Sequence, residues 1–290
     1  MESYQLQQTS DRDLFRVVDL SGSWRFYYSK KAKKYLLGVT TVLDMGYAKG
    51  QRFYEYLKNG NKEEIESKLE KAGDKGDAVH QLISMFLATG KSAMTDDILA
   101  ENNKTRRKPT VEEWKAFLTF TEFWKAHDPK LYANEFVISN LKFGYAGTVD
   151  MVIELTKKCD YKLCGCGKVI GQLGVWDHKS GGAIYNSYGP QIAAYAQADQ
   201  MRKAKRKPTY TAIDRLGTRH ARGYELEFYD KMETKTHWQE FLAALTIAKS
   251  EFKPFDPKKE IYDIIESVEL TIKKHDTNSK TDKVLPKLGK

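Results

Sequence analysis

The stretch 174–182 reads GVWDHKSGG, an apolar run that passes at once into Asp177-His178-Lys179 and two glycines. Side chains alternate across a strand, so Val175, Asp177 and Lys179 share one side and Trp176 and His178 the other. An acid and an ammonium group then stand together at a strand end. A second acid, Asp150, interrupts the apolar segment YAGTVDMVIELT. There Val149, Met151 and Ile153 are expected on one side, with Asp150 beside Thr148 and Val152 on the other. An unpaired charge in an apolar row is costly, so each acid needs a cation, a donor network or water. Two acids on neighbouring strands facing one cavity suit a hard divalent ion such as Mg2+ or Mn2+. Lys179, beside Asp177, is placed to hold a water or a phosphate oxygen.

Other residues gather around this pair. His80 borders the apolar stripe Val79, Leu82, Ile83 and Phe86 of a predicted helix. Gln191 and Tyr195 are four apart and share a helix face. Glu135, in NEFVI, lies on the strand before that of Asp150. Taken singly, His80 reads as a packing residue, Glu135 as a plain strand acid and Gln191-Tyr195 as an amphipathic face. Three cysteines, Cys159, Cys164 and Cys166, fall in CDYKLCGCG. The spacing is similar to part of a zinc knuckle, but a closed zinc site takes four ligands and the chain has no fourth cysteine. Reduced thiols on a Gly-rich hairpin are the favoured reading, with structural zinc as the alternative.

The elements that position these groups follow from periodicity. Residues 1–12 are polar and expected to be loose. Between 13 and 45, β-branched and aromatic residues around Ser-Gly predict a short hairpin leading into a helix near VTTVLDMG. Helices are predicted at 48–58, 61–72 and 73–90, with Gly73 and Gly90 as stops, and at 111–127 with Thr110 as cap and Pro129 as terminator. The segments LYANEFVISN and YAGTVDMVIELT form a predicted hairpin through LKFG, and QLGVWDHK is a third strand. A helix over 187–204, capped by Ser187, leads to strands in TYTAIDRL and GYELEFYD and a helix ending before Pro254. Residues 271–290 are Lys-rich and expected to be a flexible basic tail. Trp114, Phe117, Phe120, Phe123 and Trp124 have helical spacing and read as core rather than as a base-stacking platform. The order describes one domain over 13–270: a hairpin and helical part to 128, then a mixed α/β core over 129–254.

Composition narrows the function class. The chain has 290 residues, 41% hydrophobic and 30% charged, a soluble globular profile. No apolar run suits a membrane span and no secretory signal is evident. The net charge of +9 favours a polyanionic partner, and the basic runs 104–108 and 202–207 are candidates for gripping it. Three cysteines argue against a disulfide framework and for a reducing cytoplasm.

Four of these segments in this order, GDAVH (76–80), GYAGTVDMVI (144–153), VWDHK (175–179) and GPQIAAYAQA (189–198), resemble the PD-(D/E)XK nuclease superfamily. The likeness is to its RecB-like branch of phage exonucleases, mitochondrial genome maintenance exonuclease and CRISPR-associated relatives. YLLGVTTVLDMG (35–46) also resembles the opening segment of such phage proteins. The third strand has Trp-Asp where the superfamily's name has Pro-Asp. The resemblance implies a restriction-endonuclease-like core, a mixed β-sheet flanked by helices, here with a helical N-terminal region. It implies His80, Asp150 and Asp177 as ligands of Mg2+ or Mn2+, Lys179 as the residue steadying water and phosphate, and Glu135 as an additional acid. Gln191 and Tyr195 would contact the DNA backbone or support the metal site. Some relatives hold an iron–sulfur cluster with four cysteines, a pattern this chain lacks. The implied activity is metal-dependent hydrolysis of DNA from its ends, single- or double-stranded, in phage or viral replication, recombination or DNA breakdown in the host cytoplasm. The alternatives are a non-catalytic nucleic-acid-binding module that retains the fold, and a zinc-stabilised adaptor for replication or recombination proteins.

Overall fold

The computed structural model describes residues 5–18, 24–48, 50, 55, 57–100, 105–180 and 185–252. Within them a mixed sheet of nine strands is flanked by helices, an α/β architecture. The first four strands, β1 (Gln5–Gln8), β2 (Leu14–Val18), β3 (Arg25–Ser29) and β4 (Lys34–Gly38), form an antiparallel meander. The sequence predicted one hairpin here and a loose start. Residues 5–8 are instead an edge strand, so the N-terminal region is as much sheet as helix. Gly38 then opens α1 (Val39–Gly46).

Helix α2 (Lys62–Thr89) is one element where two were expected. Asn61 accepts the Glu64 N–H at its start, and Gly90 closes it in the left-handed conformation. Gly73 does not stop it: a helix interior tolerates glycine at about 1 kcal/mol, and no capping geometry follows. A short ribbon of β5 (Ile98–Ala100) and β6 (Thr105–Arg107) precedes α3 (Val111–His127). Thr110 and Glu113 form a reciprocal capping box there. Phe117, Phe120 and Phe123 are buried, as their spacing predicts.

The central strands are β7 (Lys130–Asn140), β8 (Tyr145–Glu154) and β9 (Leu173–Lys179), each antiparallel to the next. Helices α4 (Tyr188–Ala196) and α5 (Asp199–Lys203) carry the chain over to β10 (Tyr210–Leu216), which lies parallel to β9. Antiparallel β11 (Tyr224–Tyr229) follows, and α6 (Lys231–Glu251) ends the described chain with an Asp230/Glu233 capping box. The predicted single helix over 187–204 breaks at Ala198, which is extended. There Asn140 donates to the Gln197 carbonyl and Asp199 accepts the Leu141 N–H, so the β7–β8 turn holds the break open. The Ser187 side chain makes no cap.

Two apolar layers cover the sheet. One joins Val149, Val152, Val175 and Ile213 to α1, α4 and α6. The other joins Met151, Ile153, Trp176 and Ala212 to α2 and α3. No helix among the described residues is long and apolar enough to cross a membrane. Lys104, most of the helix expected at 48–58 and the tail at 271–290 lie outside the described residues.

Candidate active site

The sheet is irregular at one level, and that irregularity builds the site. β7 pairs with β8 from end to end, with a register shift between Leu131 and Ala133. The other edge of β8 is therefore shared: parallel β4 takes Tyr145 and Ala146, and antiparallel β9 takes Met151 to Glu154. Residues 147–150 face the fork between them. Asp150 sits where the β8–β9 ladder ends, and its Oδ2 accepts the His178 backbone N–H at 2.7 Å. Across the other edge, Glu135 falls between the pairs Asn134↔Met151 and Phe136↔Val149, opposite Asp150. Its φ of +46° is left-handed, an uncommon and costly state for a residue other than glycine. The alternation of β8 slips here. Val149 joins the layer of Val152, and Met151 and Ile153 the opposite one. This corrects the expectation that Val149, Met151 and Ile153 share a side.

His80 reaches this level from α2. Its Nδ1 lies 3.5 Å from Asp150 Oδ1 and 3.6 Å from Glu135 Oε1, and its Nε2 lies 3.1 Å from the His178 carbonyl. A carbonyl only accepts, so Nε2 carries the proton and Nδ1 is directed at the carboxylates. His80, Glu135 and Asp150 each offer a ligand atom within 4.8 Å of the others. Side-chain exposures of 28% for His80 and 32% for Glu135 leave the group reachable from solvent, while Asp150 is buried. Burial lowers the His80 pKa, but Asp150 and Glu135 together lift it well above the ordinary value. Burial alone would raise the Asp150 pKa; His80, His178 and Lys179 outweigh it and hold the carboxyl well below the usual range.

Asp177 and Lys179 share a side of β9, as alternation predicts, and pair at 2.5 Å between Oδ2 and Nζ. Gln191 of α4 bridges them: Lys179 Nζ donates to its Oε1 at 3.2 Å, and its Nε2 lies 3.4 Å from Asp177 Oδ1 and 3.0 Å from the Tyr195 hydroxyl. Gln191 and Tyr195 are buried, so they brace Asp177 and Lys179 instead of forming an outer contact surface. Lys179 Nζ also lies 4.7 Å from the centre of the Tyr188 ring. Burial, opposed by Lys179 and aided by Asp150, pushes the Asp177 carboxyl up to about 6. Asp177 stands outside the three-residue group of His80, Glu135 and Asp150, because its carboxylate is turned to Lys179. The structure thus brings six of the seven predicted residues into two adjoining clusters, and Tyr195 supports the second.

Sequence reasoning missed His178 and Asp214. The main chain of His178 serves both Asp150 and His80, while its imidazole Nδ1 contacts both Asp214 oxygens at 2.7 and 2.8 Å. Burial would lower the imidazole pKa, and Asp214 overrides this and raises it. The pair is fully buried and fixes the residue between Asp177 and Lys179. A signal was present in TYTAIDRL, where Asp214 follows the apolar pair Ala212-Ile213 within a predicted strand.

The basic runs are partly committed inside the fold. Arg107 binds both oxygens of Glu113, Lys108 pairs with Asp97, and Arg206 joins Glu154 and Tyr132. Elsewhere, His127, Cys159, Cys164 and Cys166 form a buried group that can hold a metal, with ligand atoms within 4.8 Å of one another. In comparisons with known proteins, the chain matches no protein-family model and no curated protein.

Proposed function

We propose that the protein is a divalent-metal-dependent DNA nuclease with a restriction-endonuclease-like core, acting on phosphodiester bonds from DNA ends. The order β7–β8–β9 followed by a helical crossover to parallel β10 supports that core. The observation carrying the activity is the convergence of His80, Glu135 and Asp150 within 4.8 Å, next to the Asp177–Lys179 pair. The two carboxylates suit Mg2+ or Mn2+, and the His80 Nδ1, directed at them, could add a nitrogen ligand on losing its proton. Asp177 would complete the ligand set on leaving Lys179. A bound ion would lower the pKa of water and offset phosphate charge.

The chain's own residues supply the rest. Lys179, released from Asp177, holds its ammonium beside the scissile phosphate and steadies developing negative charge. Gln191 keeps Lys179 and Asp177 in register during that exchange. The His178 main chain holds His80 and Asp150, and Glu135 stays within reach of the His80 Nδ1. A chain of net charge +9 holds the remaining phosphates through salt-sensitive contacts without reading sequence.

The test is incubation of labelled DNA with 5′, 3′, blunt and circular ends, with Mg2+ or Mn2+ and with chelator. Metal-dependent shortening of linear substrates is expected, with circles spared, and with loss of cleavage but retained binding in Asp177→Ala and Lys179→Ala. Binding without cleavage under any metal would instead identify a non-catalytic binding module.

A further inference from the structure

We propose that His127, Cys159, Cys164 and Cys166 form a structural zinc site, separate from the candidate active site. All four residues are buried, and His127 supplies the fourth ligand that the sequence spacing did not reveal. It stands at the end of α3, far from the cysteines in the chain.

The distances fit a single tetrahedral ion. With metal–sulfur bonds of about 2.3 Å, tetrahedral geometry sets two sulfurs about 3.8 Å apart; with metal–nitrogen near 2.0 Å, sulfur and nitrogen stand about 3.5 Å apart. Cys159 and Cys166 Sγ are 3.7 Å apart, and Cys164 Sγ lies 3.7 Å from His127 Nε2. A disulfide requires about 2.05 Å, so these sulfurs are not bonded. A span of 4.8 Å holds one ion and leaves no room for a polynuclear cluster.

The surroundings agree with a charged centre. His127 Nδ1 lies 2.9 Å from the Phe123 carbonyl, which fixes the proton on that nitrogen and leaves the Nε2 lone pair toward Cys164. Gly165, at φ +72°, turns the chain between Cys164 and Cys166. Three thiolates on Zn2+ leave one negative charge, and Arg222 is placed against it. Its Nη1 lies 3.4 Å from Cys164 Sγ and 3.7 Å from Cys159 Sγ, with its guanidinium over the Tyr161 and Tyr224 rings. Zinc-bound thiolates would give this half-buried guanidinium a counter-charge that neutral thiols do not.

The site has a mechanical role. The connection 155–172 joins β8 to β9, the strands of Asp150 and Asp177, and is long with little regular structure. Zinc would pin it to α3 and fix the spacing of both strands.

The test is metal analysis of the full chain purified without added zinc and dialysed against metal-free buffer. About one zinc per chain is expected, retained in His80→Ala and lost in Cys164→Ser. Because Cys164→Ser can misfold, the unaltered chain provides a second readout. Its three thiols should resist a thiol reagent until a zinc chelator is added, and cobalt exchange should give the visible spectrum of a tetrahedral thiolate site. Substoichiometric zinc with three freely reactive thiols in the folded chain would overturn the proposal, as would iron with acid-labile sulfide.

Discussion

The Asp150 carboxylate takes the place of a strand carbonyl against the His178 amide. Pairing between β8 and β9 stops at Met151↔Trp176, and one step on the side chain, not the main chain, accepts the N–H at 2.7 Å. A ligand candidate is thereby locked into the sheet. Asp150→Ala removes the acceptor as well as the charge, and a buried unpaired N–H costs about 1–3 kcal/mol. Asp150→Asn retains an acceptor oxygen. Thermal unfolding should therefore separate the two, with the alanine variant clearly less stable, while both lose metal-dependent cleavage. Equal stability of the two variants would argue that Asp150 does not hold the fork.

The proton on Asp177 competes with the proposed ion. This carboxyl, pushed up to about 6, lies above the unfolded value of 3.8. Its protonation favours the native state below 3.8, and that contribution is lost as pH rises through about 6. An ion that binds the deprotonated carboxylate gains over the same window. The rise in Tm on adding Mn2+ should be small at pH 5 and grow through pH 6. His80, whose raised pKa keeps a proton at Nδ1, should extend the growth to higher pH. Calorimetry across pH 5–8 checks this, and Asp177→Asn should remove the portion centred near 6. A metal-induced shift that is flat with pH would contradict the assignment.

Gly147 is a remote test of the same site. A Cβ there would stand 2.9 Å from Tyr195 Cε1 and 3.3 Å from Val39 Cγ2. Tyr195 is the hydrogen-bond partner that braces Gln191, which in turn joins Asp177 to Lys179. Gly147→Ala should cost about 1–3 kcal/mol by overpacking. It should also slow cleavage by more than the loss of folded protein explains, although position 147 is none of the proposed ligand or phosphate-steadying residues. Denaturant unfolding and a single-turnover rate, measured on the same preparation, give the comparison.

These relationships show where the sequence was readable. Period-two alternation placed Asp177 and Lys179 on one side, and helical spacing placed Gln191 and Tyr195 together. Both rules operate within one element. The slip at Asp150 depends on β4 and β9 sharing an edge of β8 and on the left-handed Glu135, so alternation alone misassigned Val149. The β1–β4 meander was underread because its strands are short and lie around turns. Likewise, His127 could not be joined to the cysteines by spacing, since the fold brings α3 to the 155–172 connection. Gly73 was read as a stop because local propensity gives glycine that meaning, whereas α2 packs Val79, Leu82 and Ile83 into the core and continues through it.

The proposed mechanism gives Lys179 a part in using the ion and none in binding it. Its ammonium pairs with Asp177 at 2.5 Å, and Lys179 itself stays charged: burial lowers its pKa, but Asp177 and Asp150 raise it further. Removing one member of a buried pair leaves the other charge uncompensated, typically at about 3–5 kcal/mol. Lys179→Ala should therefore destabilise the ion-free protein, and Mn2+ should restore much of the lost Tm by taking the place of the ammonium. Ion affinity should be unchanged or tighter, because the ion no longer displaces Lys179 from Asp177. Cleavage should nonetheless fall by about 10²-fold or more, the scale on which a single charge-stabilising donor acts in a buried site. Titration calorimetry with Mn2+ beside a cleavage assay tests both halves. A variant that lost ion affinity in proportion to activity would show Lys179 to be a support of the ion site and not a group acting on phosphate.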